Sequence, residues 1–467
     1  MVNMEKPRTL GELRRSGYKV LPVREELRKN LIEKIRTGER LFPGIVGYED
    51  SVIPQLENAM LAGQDIIFLG ERGQAKSRII RSLVALLDEE TPVLTGCEIP
   101  ENPFEPITKT GRDIVAEQGD AAPISWLARE ERYGEKLATP DITIADLIGE
   151  VDPIKVAEGR YLSDELTIHY GLIPRTNRGI FCINELPDLA ERIQVGLLNI
   201  MEERDVQIRG YRIRLPLDVF VVASANPEDY TNRGRIITPL KDRYGAQIRT
   251  HYPRNMEFEI DIMERESSAF VDADYRVAVP QYMKEVIAEI TRLARRSPDV
   301  NQRAGVSVRA SIADYESLLA NAQRRAIRLG ETEVVPRITD LPYVIPALNG
   351  KLELETVEDG REEQILEKLL QGAVVAVFNR NFNVGELEDV VTRFKAGANV
   401  EVSDTMPSQD YLRLTRQVEG LDRAAQKIAG DRSPAQVAAA VEFILEGLHL
   451  NKRLNKDRVA GRVQYRG

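Results

Sequence analysis

Three short runs in the first half of the chain are apolar without interruption: Ile66-Ile67-Phe68-Leu69, Ile180-Phe181-Cys182-Ile183 and Val219-Phe220-Val221-Val222-Ala223. A strand covered on both faces reads in this way, whereas a half-solvated strand alternates, so each run predicts a strand of a buried parallel sheet. Helical spacing follows the first two. Residues 76–87 carry Ile79, Ile80, Leu83, Val84, Leu86 and Leu87, and residues 187–201 carry Leu189, Ile193, Val195, Leu197, Leu198 and Ile200. Between the second helix and the third run, Val206, Ile208, Tyr211, Ile213 and Leu215 alternate with polar residues around Arg209-Gly210, which predicts a β-hairpin. Residues 88–178 are mixed, with proline-rich loops near 98–106 and a short helical patch near 125–132, and they read as insertions into the core. From 253 to 348 the helical period dominates, and 362–378, 385–395 and 434–449 read as further helices. The pattern therefore predicts an α/β layered sheet to about residue 250 and helices beyond it. Four segments result: a basic helical extension over 1–42, a layered core with inserts over 43–252, a helical domain over 253–350, and a mostly helical region with a basic tail over 351–467.

Composition narrows the class. The 467 residues are 42% hydrophobic and 30% charged, which excludes a disordered or collagenous chain and leaves ample core for two or three packed units. The net charge of -10 argues against a protein that coats duplex DNA. Both ends nonetheless run basic, with 11 Lys/Arg against six Asp/Glu in residues 1–40 and six against one in 451–467. The two cysteines, Cys97 and Cys182, make no disulfide framework, and three histidines provide no zinc- or iron-type ligand cluster. With neither a signal-like opening nor a long apolar stretch, the expectation is a cytoplasmic protein without a membrane anchor.

The turn after the first strand carries the chemistry. It reads Gly70-Glu71-Arg72-Gly73-Gln74-Ala75-Lys76-Ser77, the phosphate-loop spacing GxxxxGK[ST] with Ala75 in place of the second glycine. Backbone N–H groups of such a turn hold phosphate oxygens, Lys76 reaches the β- and γ-phosphates, and Ser77 ligates magnesium. The second strand ends in Asn184-Glu185, where phosphate-loop ATPases place Asp-Glu. A carboxylate at the first position holds magnesium and a glutamate at the second polarises the attacking water. Asn184 brings an oxygen acceptor but no charge, which weakens the expectation for metal affinity or turnover. Two readings of Glu185 stay open: the catalytic base, or a carboxylate favoured by a helix N-terminus.

At this point the chain resembles the AAA+ ATPases of the magnesium-chelatase ATPase-subunit and MoxR type. The resemblance covers roughly residues 43–330. It rests on Ile45-Val46-Gly47, the phosphate loop, Arg178-Gly179-Ile180-Phe181-Cys182-Ile183-Asn184-Glu185, Ser224-Ala225-Asn226-Pro227, Leu240-Lys241-Asp242-Arg243-Tyr244 and Gly305-Val306-Ser307-Val308-Arg309-Ala310, in the family's order. It implies an AAA+ αβα parallel-sheet core followed by a helical lid. ATP and Mg²⁺ are the implied cofactors, with Val46, Gly70, Glu71, Arg72, Gly73, Gln74, Ala75, Lys76 and Ser77 on the nucleotide, and Ser77 and Asn184 on the metal. Asn226 resembles the sensor of the γ-phosphate or attacking water, Arg243 the arginine finger given to a neighbouring subunit, and Arg309 the second sensor on the lid. A turn-forming Asn-Pro, a surface ion pair and a solvated helix arginine are their respective alternatives. The arginine hairpin, with Arg204, Arg209, Arg212 and Arg214, resembles the clade's pre-sensor hairpin, and residues 149–176 resemble its helix-disrupting insert.

The resulting expectation is an Mg²⁺-dependent ATPase that assembles as a homo-oligomeric ring, a hexamer, since a finger supplied in trans needs a neighbour. Its implied output is remodelling of a client, such as a protein with a von Willebrand factor A domain, in metal insertion or complex maturation. Nucleic acid is not an expected partner. Two other readings stay open. One is a nucleotide-gated scaffold with little hydrolysis, motivated by Asn184. The other is a σ54-dependent transcription activator, disfavoured because neither that clade's GAFTGA loop nor a helix-turn-helix after residue 350 is found.

Overall fold

The structure, a computed structural model, describes residues 6–157, 165–207, 214–226, 234–268, 274–355, 361–459 and 462–467. The chain divides into two compact units, residues 1–251 and 252–467.

The first unit is built on five parallel strands: β1 (Ile66–Leu69), β2 (Tyr133–Leu137), β3 (Gly179–Asn184), β4 (Val219–Ala225) and β5 (Ala246–Arg249), in the order β5-β1-β4-β3-β2. Successive side chains point to opposite faces of the sheet, and the core splits accordingly. Ile67 and Leu69 of β1, Phe181 and Ile183 of β3, and Val221 and Ala223 of β4 pack on one face with Ile193 and Leu197 of the helix Glu191–Glu202. Ile66, Phe68, Ile180, Cys182, Phe220 and Val222 pack on the other, with Leu56 of Val52–Leu61 and Ile79 and Ile80 of Lys76–Ser82. The result is the three-layer αβα core with a parallel sheet, as expected from the runs.

The basic opening is helical over Leu10–Arg15 and Val23–Thr37, and Val23, Leu27 and Leu31 are buried in the second of these faces. Its attachment is also ionic. Glu26 accepts both Nη atoms of the buried Arg132 at 2.7 and 2.6 Å.

Two expectations need correction. Residues 88–178 are not all insertion, because β2 lies inside them and pairs with β3 from Tyr133↔Ile180 to Leu137↔Asn184. The patch near 125–132 is not one helix. Ile124–Ala128 is a strand antiparallel to Glu90–Leu94, followed by a single 3₁₀ turn over Arg129–Arg132. The expected hairpin has its base, Asp205–Gln207 antiparallel to Arg214–Pro216. Its bend, with Arg209, Gly210 and Arg212, lies outside the described residues, as do residues 158–164 of the expected insert.

The second unit is helical, with its longest helices Arg309–Leu329, Arg361–Asn381 and Pro434–Leu450 sharing one hydrophobic core with Gln281–Ala294. Its basic tail is not a loose tail. Asn455–Val459 and Arg462–Arg466 form an antiparallel pair, and Asn399–Val402 adds to the far side of Arg462–Arg466. Among the described residues no helix is long and apolar enough to cross a membrane.

Candidate functional site

Parallel strands deliver their carboxyl ends to one edge of the sheet, and adjacent loops there make the usual ligand crevice of an open α/β fold. At that edge β1 runs into the phosphate loop, β3 into Asn184-Glu185, β4 into Asn226 and β5 into Thr250. The register aligns Leu69 with Ala225, and the Gly70 amide donates to the Ala225 carbonyl at 3.1 Å.

The loop is tightly organised by its own side chains. Gly73 (φ 74°) and Ala75 (φ 57°) are both left-handed, so Ala75 adopts the conformation that a second glycine would take more cheaply. A Cβ at Gly70 would overlap the Thr250 hydroxyl and the Gln74 amide oxygen, which explains the glycine there. Gln74 Oε1 accepts from the Glu71 amide at 3.0 Å and from the Thr250 hydroxyl at 2.7 Å. The Tyr48 hydroxyl lies 2.9 Å from the Gln74 carbonyl and 2.8 Å from that of His251. Lys76 is buried beneath the loop, with its ammonium donating to the Gly70 carbonyl and, at 2.9 Å, to that of Glu71. Ser77 follows it in the first turn of the helix Lys76–Ser82 and is half-buried; Arg72 is exposed and Val46 half-buried.

On the adjoining strands a chain of hydrogen bonds crosses the edge. The Ser224 hydroxyl donates to Asn184 Oδ1 at 3.1 Å and accepts the Glu185 amide at 3.2 Å. The Asn184 amide nitrogen donates to Glu135 Oε1 on β2. Glu135 also accepts Arg81 Nε and Nη2 at 2.8 and 2.9 Å, and the Tyr133 hydroxyl at 3.0 Å. The Arg81 guanidinium, against an opposing contribution from burial, holds the Glu135 carboxyl below the usual glutamate range. Burial pushes the neighbouring Cys182 thiol up to about 12, so it behaves as an inert core group. Glu185 itself has φ 54°, a left-handed backbone that a glutamate adopts only where its surroundings impose it.

Asn226 differs from these. It is 2% exposed, and its Oδ1 accepts no hydrogen bond among the described residues. A buried amide oxygen without a donor is costly, and it suits a site whose donor arrives with the ligand. The oxygen donors at this edge, a hydroxyl, an amide and a carboxylate, fit a hard cation such as Mg²⁺ that is carried in by phosphates. A resident cage does not fit, because no group of three or more His, Cys, Asp or Glu residues is assembled among the described residues.

The edge thus brings together Lys76, Ser77, Asn184, Glu185 and Asn226. Arg243 ends the helix Thr238–Arg243 and is turned onto Glu202, with Nε 3.0 Å from Oε2 and Nη1 donating to the Pro239 carbonyl at 2.8 Å. Arg309 is in the second unit, exposed at the first position of Arg309–Leu329, an end where the helix dipole disfavours a cation and favours an anion. Sequence reasoning gave no role to Glu135, Ser224 or Thr250, which touch named site residues. It also passed over Lys241 and Arg249, which line a cleft of about 380 Å³ with Gly70, Glu71, Gln74 and Thr250. Ser224 and Lys241 had a signal, since each lies in a motif quoted above with a named site residue.

No protein-family model matches the chain. The magnesium-chelatase 38 kDa subunit of Rhodobacter capsulatus is 27% identical over 248 residues, 52% of this chain and 64% of that protein. The subunit of the same name from Cereibacter sphaeroides is 28% identical over 238 residues, 50% of this chain and 65% of that protein. In both cases the chain spans slightly less than two thirds of the relative's length. The magnesium-chelatase subunit ChlI of Nostoc sp. is 25% identical over 366 residues, 74% of this chain and 91% of that one. A cryo-EM complex of the BchI and BchD subunits of magnesium chelatase aligns at 22% identity over 70% of this chain and 98% of that one, with a TM-score of 0.35, too low to carry weight. With its phosphate loop at the carboxyl end of β1 in a sheet of order β5-β1-β4-β3-β2, the chain is a distant homologue of the magnesium-chelatase subunits that it matches at 25–28% identity.

Proposed function

We propose that the chain binds ATP with Mg²⁺ at this edge and hydrolyses it, and that the energy is spent on a partner protein. The observation that carries this is the buried Oδ1 of Asn226, without a donor among the described residues, one residue beyond the strand that bonds the phosphate loop. An oxygen acceptor in that place suits the attacking water or the γ-phosphate's hydration. Lys76 exchanges its loop carbonyls for phosphate oxygens, Ser77 takes a magnesium position, and Glu185 polarises the water. Magnesium, when bound, neutralises charge that develops on the transferred phosphoryl group.

Arg243 is the finger for a neighbouring protomer in a hexameric ring. Its pair with Glu202 is half-exposed and costs little to release. Arg309 serves as the second sensor, since an anion relieves its unfavourable place at a helix start. The relatives are named as subunits of magnesium chelatase, which supports an assembly role for this chain too, with a client such as a von Willebrand factor A domain protein. The compartment in this reading is the cytoplasm.

Phosphate release by the purified chain at saturating ATP and Mg²⁺ tests the reading. Lys76→Ala is expected to abolish binding of a fluorescent ATP analogue. Glu185→Gln is expected to keep that binding and lower turnover by about 10²–10⁴, the usual contribution of a positioned base. Equal turnover in wild type and Glu185→Gln refutes the base. A second reading, the nucleotide-gated scaffold, is favoured by the absence of a carboxylate at Asn184, and rapid wild-type turnover removes it.

A further inference from the structure

The proposed reaction needs negative charge beside the metal, and β3 ends in a neutral amide. The structure holds a carboxylate one strand away. Glu135 on β2 stands opposite Cys182, so its side chain falls on the same face of the sheet as Cys182 and Asn184. That face is covered by the phosphate-loop helix, whose Ile79 and Ile80 pack there with Cys182. Arg81, which clamps Glu135 with two hydrogen bonds, sits one helical turn after Ser77 on that helix.

These contacts form one continuous series. Arg81 binds Glu135, Glu135 accepts the Asn184 amide, Asn184 accepts the Ser224 hydroxyl, and Ser224 accepts the Glu185 backbone N–H. A neutral amide is the residue that suits position 184 here. It donates to a carboxylate on one side and accepts a hydroxyl on the other, which an aspartate cannot do. Changing Asn184 to aspartate would set two carboxylates within hydrogen-bond distance of each other, a repulsive arrangement in a part-buried place.

We propose that Glu135 and Asn184 are an exchanged pair: the charge that phosphate-loop ATPases place at the end of β3 resides on β2, and Glu135 is a positioning residue that acts through Asn184 and Ser224 on the metal side of the site and on Glu185. Glu135 orients the amide so that its oxygen faces Ser224, and it supplies the field of a carboxylate without touching the nucleotide. The inference rests on the ATP–Mg²⁺ reading above.

The experiment is a double-mutant cycle in the full chain: wild type, Glu135→Gln, Asn184→Asp and the two combined, with Lys76→Ala as the control for nucleotide binding. Three quantities are read: the Tm without nucleotide or metal, the Mg²⁺ concentration that half-saturates binding of a fluorescent ATP analogue, and turnover. Glu135→Gln is expected to raise the Mg²⁺ midpoint by about tenfold, a coupling typical of groups in direct contact. Asn184→Asp alone is expected to lower the metal-free Tm and to leave turnover no faster than wild type. The combined variant, with the charge returned to β3, is expected to regain both the Tm and the Mg²⁺ midpoint to within about twofold. An Asn184→Asp chain that fails to fold while the combined variant folds supports the same coupling.

A gain in Mg²⁺ affinity or turnover from Asn184→Asp alone overturns the exchange, as do additive effects in the combined variant. A Glu135→Gln chain with a lower Tm and an unmoved Mg²⁺ midpoint assigns Glu135 to architecture and overturns it as well. If wild type binds the analogue and Lys76→Ala does not, such results defeat the exchange alone. If wild type does not bind it, the ATP reading and the exchange fall together.

Discussion

Both units bury polar side chains, but they close the accounts differently. In the second unit Arg325 donates Nη2 to Asp340 at 2.9 Å and to the Val335 carbonyl at 2.6 Å, while Asp340 also accepts the Asn321 amide at 2.7 Å and the Arg337 backbone N–H at 2.8 Å. Glu442, in the middle of the buried helix Pro434–Leu450, accepts the Tyr411 hydroxyl and, at 2.9 Å, the Thr339 N–H. These networks end on protein at every point named, and they tie helices to one another. In the first unit the corresponding series runs from Arg81 to Glu185 along the carboxyl edge of the sheet, and beside it Asn226 keeps an acceptor without a donor among the described residues. An acceptor left open at a strand edge suits a ligand site, because its donor can arrive with the ligand.

The largest effect expected from this contrast is structural. Arg325→Leu leaves Asp340 as a buried charge without its arginine and is expected to cost the second unit about 3–5 kcal/mol. Amide exchange of Arg309–Leu329 should accelerate accordingly while β1 and β4 keep their protection, and a stable helix would show that the two kinds of burial are not distinct. Next comes Asn226→Ala. Turnover is expected to fall by about 10²–10³, the scale of one lost polar contact to a reacting centre, with Tm unchanged or raised because a buried acceptor has been removed. A drop in Tm without a change in turnover would move Asn226 to the architectural class.

Asp314 gives the smallest effect and tests one of the second unit's own unpartnered buried groups. It lies fully buried in Arg309–Leu329, neither carboxyl oxygen has a hydrogen-bond partner among the described residues, and burial raises its carboxyl well above the usual aspartate range despite the opposing charge of Lys351. Between an ordinary value of about 4 and that raised value the folded chain holds a proton that the unfolded chain has released. Its contribution to stability is therefore full below about pH 4 and is lost as pH rises through the folded value. Asp314→Asn should raise Tm at pH 8 relative to wild type and narrow the difference in Tm between pH 8 and pH 5. An unchanged pH profile would mean that the carboxyl finds a partner in solution.

How much of this was legible follows from where each element sits. β1, β3 and β4 are central strands, covered on both faces, and so their sequences are continuous apolar runs. β2 is an edge strand, Tyr-Gly-Glu-Lys-Leu, paired among the described residues only with β3 and with Leu137 55% exposed, so its sequence carries no such run and reads as an insertion. The basic tail was unreadable as a sheet for a similar reason. Its two strands are rich in charge, and the third, Asn399–Val402, comes from more than fifty residues earlier. Lys76, Asn184, Glu185 and Asn226 were legible because they follow apolar strands directly. Glu135 was not, because its relation to Asn184 spans 49 residues and exists only through strand pairing.

The sequence by itself determined the central strands, the phosphate loop at the carboxyl end of the first, and the polar residues at the tips of the others, since burial on two faces and tight turns each restrict residue type locally. Tertiary structure alone decided which carboxylate faces Asn184, that Arg243 turns onto Glu202, and that Asn226 Oδ1 is buried without a donor among the described residues. Those outcomes depend on the register of neighbouring strands and on the helices that cover them, and no local stretch of chain encodes either.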